Sequence, residues 1–350
     1  MPDAANETGG RDLDSPGSLP FIQPDQAADD DYRVVIGEEC FDWRELTDPA
    51  SLRDALGTLA ECLQPLADGR TAAFVDAAYD SECLPSTKLI DALYSPGGGL
   101  SHDDRIRLQK LLDKCRVVEP AESDLPRPVR VADGPEREPS WGVAHALARA
   151  ARGRAMSVLL TPYVSQPDWP SGWLTVTRLT EEGYDEVRAH VLRNPGDAPG
   201  FWRGLYTHER VPAERFFTFA QDAFPQLLFA ASLRLNQFKG SYAEVLPWLV
   251  RLLGALDDHF ARTLAECGGD QNQVMRRFKA LDLDISPESP NTKKNASAWQ
   301  QRNVGHEGAT YRCEWHGKRL WDRDRVHFSL PIPEHDGRIL VGIFAEHLGT

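Results

Sequence analysis

The sequence predicts an α+β protein of several domains, with a mainly helical middle and a small antiparallel sheet at its C-terminal end. Three observations carry that expectation. At 350 residues the chain is longer than a single hydrophobic core usually supports. Apolar residues recur at helical spacing over 52–66, 106–112 and 241–267. From Thr310 onward, short apolar runs alternate with polar turns, as strands do in a hairpin sheet.

Residues 1–31 hold eight acids against the single Arg11 and are rich in Asp, Gly, Pro and Ser. Such a segment buries too little apolar surface to offset its ordering entropy, so a disordered acidic tail is expected. A role as an acidic nucleic-acid mimic is the functional alternative there. An α/β domain over 32–118 follows. Arg33–Gly37 and Thr71–Ala77 have strand composition, Asp48 or Ser51 can cap the helix through Leu52–Leu66, and Ser101 opens another ending at Cys115. Asp76 and Asp80 after a strand resemble the acids of some metal nucleases, although two acids there are common by chance. Residues 119–140, with five prolines between Pro120 and Pro139, read as a linker.

A mainly helical middle domain is expected over 141–270. It opens with a helix near Gly142–Arg152. Val158–Thr161 and Trp173–Val176 form paired strands joined by the turn Gln166–Gly172, and Thr180–Arg193 is an amphipathic helix. Pro212–Phe224 and Ser241–Cys267 are helical, with a start or kink near Pro247. Trp202, Phe216, Phe217, Phe229, Trp248 and Phe260 fall at core spacing rather than forming a base-stacking surface. Asp257, Asp258 and His259 resemble metal ligands, but adjacent helical residues point apart.

Six scattered cysteines without a CxxC pair, no signal-peptide pattern and no long apolar run give the expectation of a cytoplasmic protein with reduced thiols and no membrane contact. The net charge of −14 argues against general steering toward nucleic acid. Residues 286–330 reverse the balance locally, with eight Lys/Arg against five acids. A phosphate-binding patch is therefore expected on the last domain, 271–350, where Asp270 caps a helix over Gln271–Leu281.

That domain should carry strands at Thr310–Trp315, Arg325–Leu330 and Arg338–Phe344, with HGKRLWDRD as a turn between the first two. Alternation places Arg325 and His327 on one face, Val326 and Phe328 on the other, and Arg312 with Glu314 on the preceding strand. His316, Lys318 and Arg319 come from the turn. Cleavage of RNA by its own 2′-hydroxyl needs a base, an acid and cations for the phosphorane, and these residue types supply them without a metal or other cofactor. A solvated polar face is the plainer reading of the same alternation. Cys313, His316, His327 and His335 form an alternative zinc set, poorly spaced for two close ligand pairs.

Glu314–Lys318 (EWHGK), Arg325–Phe328 (RVHF) and Ile339–Leu348 (ILVGIFAEHL) resemble, in order and character, the C-terminal elements of RelE/ParE/HigB-type bacterial toxins. The resemblance covers about Gln271–Thr350. It implies a component of antiphage or toxin–antitoxin defence whose last domain binds RNA or cleaves it without metal. His316, His327, Arg325 and Lys318 would then be catalytic, and Arg312, Arg319 and His347 would bind substrate. RNA or the ribosome and a protein partner are the implied associates. ParE relatives of the same fold act on gyrase, so a non-catalytic interaction or sensor subunit is the alternative, and a metal-dependent nuclease built on the N-terminal acids is the third.

Overall fold

A computed structural model describes residues 32–162 and 169–348. The acidic tail and residues 166–168 of the Pro-rich turn lie outside them. The fold is α+β.

The first half is built on a seven-stranded sheet. Its elements in chain order are β1 (Val34–Ile36), α1 (Pro49–Asp68), β2 (Ala72–Val75), the small hairpin β3 (Glu82–Leu84) and β4 (Thr87–Lys88), α2 (Leu89–Tyr94), α3 (His102–Leu112), β5 (Arg116–Val118), β6 (Val129–Val131), α4 (Trp141–Ala151), β7 (Ser157–Leu159), β8 (Gly172–Thr180) and β9 (Gly183–Leu192). Strand order is β5-β2-β1-β7-β9-β8-β6, and the first five strands run parallel. Strand alternation explains why helices cover both faces. Val34, Ile36 and Phe74 pack with α1 and α3, whereas Val35, Ala73 and Val158 pack with α4. Asp48 and Ser101 cap their helices as the sequence suggests, each accepting a backbone N–H.

Three expectations fail in this half. The strands at Val158–Thr161 and Trp173–Val176 do not pair with each other, because β9 lies between β7 and β8. Thr180–Arg193 is not a helix: it forms the turn and strand of the β8–β9 hairpin. Thr180, Glu181 and Glu182 resemble a helix start, but the Thr180 hydroxyl donates to Gly183 O at 2.9 Å across the turn. Gly183 has φ +126°, a conformation that favours glycine. Val187, Ala189 and Val191 then enter the core at every second residue. The segment 119–140 also contributes a strand, β6, at the edge beside β8. The seven-stranded sheet thus draws on both sides of that segment, and its last strand ends at Leu192.

The mainly helical stretch begins later, with α5 (Ala198–His208), α6 (Ala220–Ala223), α7 (Tyr242–Ala255), α8 (Ala261–Glu266) and α9 (Gln271–Ala280), interrupted by the short strand β10 (Leu227–Phe229). Pro247 sits inside α7, and a π-helical turn over Leu256–Phe260 joins α7 to α8. Pro212–Phe224, expected to be one helix, is a 3₁₀ segment over 213–218 followed by α6.

Beyond α9 come β11 (Asp284–Pro287), α10 (Pro290–Lys294), α11 (Ala296–Gln300), the hairpin β12 (Asn303–His306) and β13 (Ala309–Arg312), β14 (Trp315–Lys318), β15 (Arg325–Ile332) and β16 (Arg338–Ala345). A five-stranded sheet has the order β10-β16-β15-β14-β11. It is antiparallel except where β10 joins β16. Trp315, Val326 and Phe328 point into a core shared with α5–α9, and Phe260 meets Trp315 and Phe328 edge-on at 5.3 and 5.0 Å. Gly317 allows the close approach of α7, because a Cβ there would lie 2.5 Å from Leu252 Cδ2. No helix among the described residues is long and apolar enough to cross a membrane.

Candidate functional site

His316 and Lys318 do not belong to a turn, as their polar neighbours suggest; they lie within β14. Its partners on β15 are His327 and Arg325, so that His316 faces His327 and Lys318 faces Arg325. On the other side β11 brings Ser286 opposite His316 and Asp284 opposite Lys318. Four of the residues singled out from sequence therefore meet on one sheet face. The remaining turn is residues 319–324.

The centre of this face is a carboxylate outside the expected set, carried by the Ser- and Pro-rich segment 286–292. Glu288 is buried just past β11. Its Oε1 accepts Arg302 Nε at 3.0 Å and lies 3.2 Å from His327 Nδ1 and 3.6 Å from His316 Nδ1. Arg302 arrives from the end of α11 and is itself 2% exposed. The two imidazole centroids are 5.1 Å apart. The Ser286 hydroxyl is 3.3 Å from His316 Nε2, and Arg325 Nη1 is 3.4 Å from the same nitrogen.

Burial sets the charge states. It outweighs the nearby carboxylate and lowers both imidazole pKa values, to about 4 for His327, so the two rings are neutral near pH 7. Burial alone would raise the Glu288 pKa, but the adjacent His316 and His327 ring nitrogens and the Arg302 guanidinium hold it well below the usual carboxylate range. With neutral rings, the permanent charge opposite Glu288 is Arg302. His316 Nδ1 and both His327 ring nitrogens make no hydrogen bond.

The other expected binding residues are not brought to this cluster. Arg319 is held by Asp324, which is fully buried and also accepts the backbone N–H groups of Lys239 and Gly240. That makes Arg319 a brace for the loop. Arg312 lies on the β12–β13 hairpin outside the five-stranded sheet, with its guanidinium 4.5 Å from the centre of the Trp299 ring. His347 is exposed just past β16. The proposed zinc set is not assembled either. The buried Cys313 thiol contacts Leu340 O, and its pKa is pushed up to about 12 by burial. His335 instead meets His306, at 5.5 Å between rings, and Tyr311. Among the described residues, ligand atoms converge at Glu288/His316/His327 and at the more exposed His306/Glu307/His335.

The N-terminal acids have local partners. Asp76 accepts the N–H of Ala77, and Asp80 pairs with Lys88 at 2.7 Å. Just past β1, Glu38 accepts Gly142 N and Glu39 accepts the Ser140 hydroxyl, each at 2.8 Å, and both serve the N-terminus of α4. Asp257 and Asp258 in the π-helical turn bind Arg203 from α5.

No protein-family model matches this chain, and no curated protein or solved structure matches it either.

Proposed function

We propose that the C-terminal half binds single-stranded RNA through the β14–β15 hairpin, as part of a bacterial antiphage or toxin–antitoxin system. The observation that carries this reading is the hairpin tip. Lys318 and Arg325 face each other across it, and Trp321 stands 85% exposed in the loop between them. Cations hold backbone phosphates, while an exposed indole offers a stacking surface that accepts any base. Neither cation forms an ion pair among the described residues. Arg276 and Lys279 of α9, with Lys293 and Lys294 of α10, line two grooves along β11 and extend the cationic surface. The place in defence rests on the resemblance to RelE-type toxins, which act on ribosome-bound messenger RNA.

Cleavage asks for more than binding, because an acid and a base must reach one phosphodiester. His327 is 1% exposed and His316 5%, beneath Arg325 and Ser286. Burial of both rings favours binding over metal-independent cleavage.

Fluorescence anisotropy of the full chain with labelled single-stranded RNA tests the proposal. Trp321→Ala should weaken binding by about 1–3 kcal/mol, the usual loss of one base stack. Lys318→Ala with Arg325→Ala should reduce the slope of log affinity against log salt by about 1.4, two single-strand phosphate contacts. Unchanged affinity and slope in these variants would overturn the reading. RNA fragments formed in excess chelator and lost in His316→Ala would restore the cleavage reading.

A further inference from the structure

We infer that Glu288, His316 and His327 hold a divalent transition-metal ion of the zinc type. The inference does not depend on RNA binding, since none of the three belongs to the exposed hairpin tip.

The donor set is the first ground. Two imidazoles and a carboxylate are ordinary zinc ligands, and the three ligand atoms lie within 4.8 Å of one another. Spacing is the second. The separations from Glu288 Oε1 are 3.2 and 3.6 Å. Ligands bound tetrahedrally at zinc distances are separated by about 3.3 Å. A water hydrogen-bonded to the same atoms would spread them to about 4.5 Å.

The third ground is the state of the imidazole nitrogens. His316 Nδ1 and His327 Nδ1 are buried beside a carboxylate, and neither makes a hydrogen bond with it. Buried polar atoms are rarely left without a partner, and here two of them converge with a third donor atom. An ion at the centre of that triangle satisfies both. Arg302 fits the arrangement as an outer group, because its Nε donates to Glu288 Oε1 at 3.0 Å and fixes the carboxylate toward the rings. The three ligands come from β14, β15 and the turn after β11, so an ion would tie the edge strand to the interior of the sheet.

The test is metal titration of the full chain, stripped with chelator and dialysed, using zinc and cobalt(II) with calorimetry and metal analysis. One equivalent should bind, and the melting temperature should rise as it does. His316→Ala, His327→Ala and Glu288→Gln should each weaken binding by at least ~100-fold, the upper end of the loss caused by removing an outer-shell partner alone. His335→Ala, which disrupts the more exposed cluster, should bind like the wild type. Stripped wild-type protein that takes up no metal overturns the inference whatever the variants do. So does wild-type affinity in His316→Ala, or loss of all binding in His335→Ala.

Discussion

Glu288 and Arg302 are buried together, and each alone would be a charge without a partner. In metal-free protein, Arg302→Met should therefore destabilise the fold by about 3–5 kcal/mol in urea denaturation, with Glu288→Leu added to it recovering much of the loss. A second residue reports through pH. His190 is 1% exposed, bonded to the Ser157 hydroxyl at 3.0 Å and set between Trp173 and Phe201. Burial lowers its pKa to about 4. The unfolded imidazole binds a proton first, near pH 6.5. Its contribution is thus complete above that pH and is lost as pH falls toward 4, by roughly 3 kcal/mol. His190→Gln should flatten this part of the stability profile, read from urea midpoints between pH 4 and 7. At this scale strand period showed that Arg325 and His327 share a face, but it left His316 and Lys318 in a turn, and only the pairing of β14 with β15 adds them to that face. It did not show Glu288 or Arg302. Both are polar residues in a stretch of turn composition, and only the path of the chain between β11 and β12 buries them.

Among the elements, β14 is held against α7 by the absence of a side chain at Gly317. Gly317→Ala should push Leu252 and cost about 1–3 kcal/mol, visible as a lower melting temperature. Gly342 on β16 is tighter still, since a Cβ there would meet Cys313 Sγ at 2.3 Å. The π-helical turn is the other constrained element. Its extra residue turns Phe260 into the core against Trp315 while Asp257 and Asp258 reach Arg203. Capped helices with a wide apolar stripe, such as α1 and α3, were legible because caps and period agree. β9 was not, because its exposed Glu186 and Arg188 suggest a solvated helix face and its turn imitates a helix start. Strand β14 was hidden for a related reason: three of its four residues are His, Gly and Lys, which have little strand character.

Across the whole molecule, the two halves are joined by polar and aromatic contacts that include the buried Arg33. Arg33, 2% exposed beside β1, pairs with Glu209 at the end of α5, and Glu209 also accepts the N–H of Ala155. Trp173 of β8 stacks on Phe201 and donates to Gly200 O. Nothing in the local sequence pairs residues 33 and 209, so this junction was not readable in advance. Glu209→Ala leaves the Arg33 guanidinium buried without its carboxylate, and the expected loss is again about 3–5 kcal/mol.

The parallel pairings carry a consequence for how the chain reaches its fold. Val34 lies beside Ser157, and Leu227 lies beside Ile339. Neither register can be reached by zipping from a nearby turn. Long loops must close before these contacts reward the chain, and intermediates with open strand edges persist meanwhile. Refolding after dilution from denaturant should accordingly be slow for a protein with so much helix, and increasingly lost to aggregation as protein concentration rises.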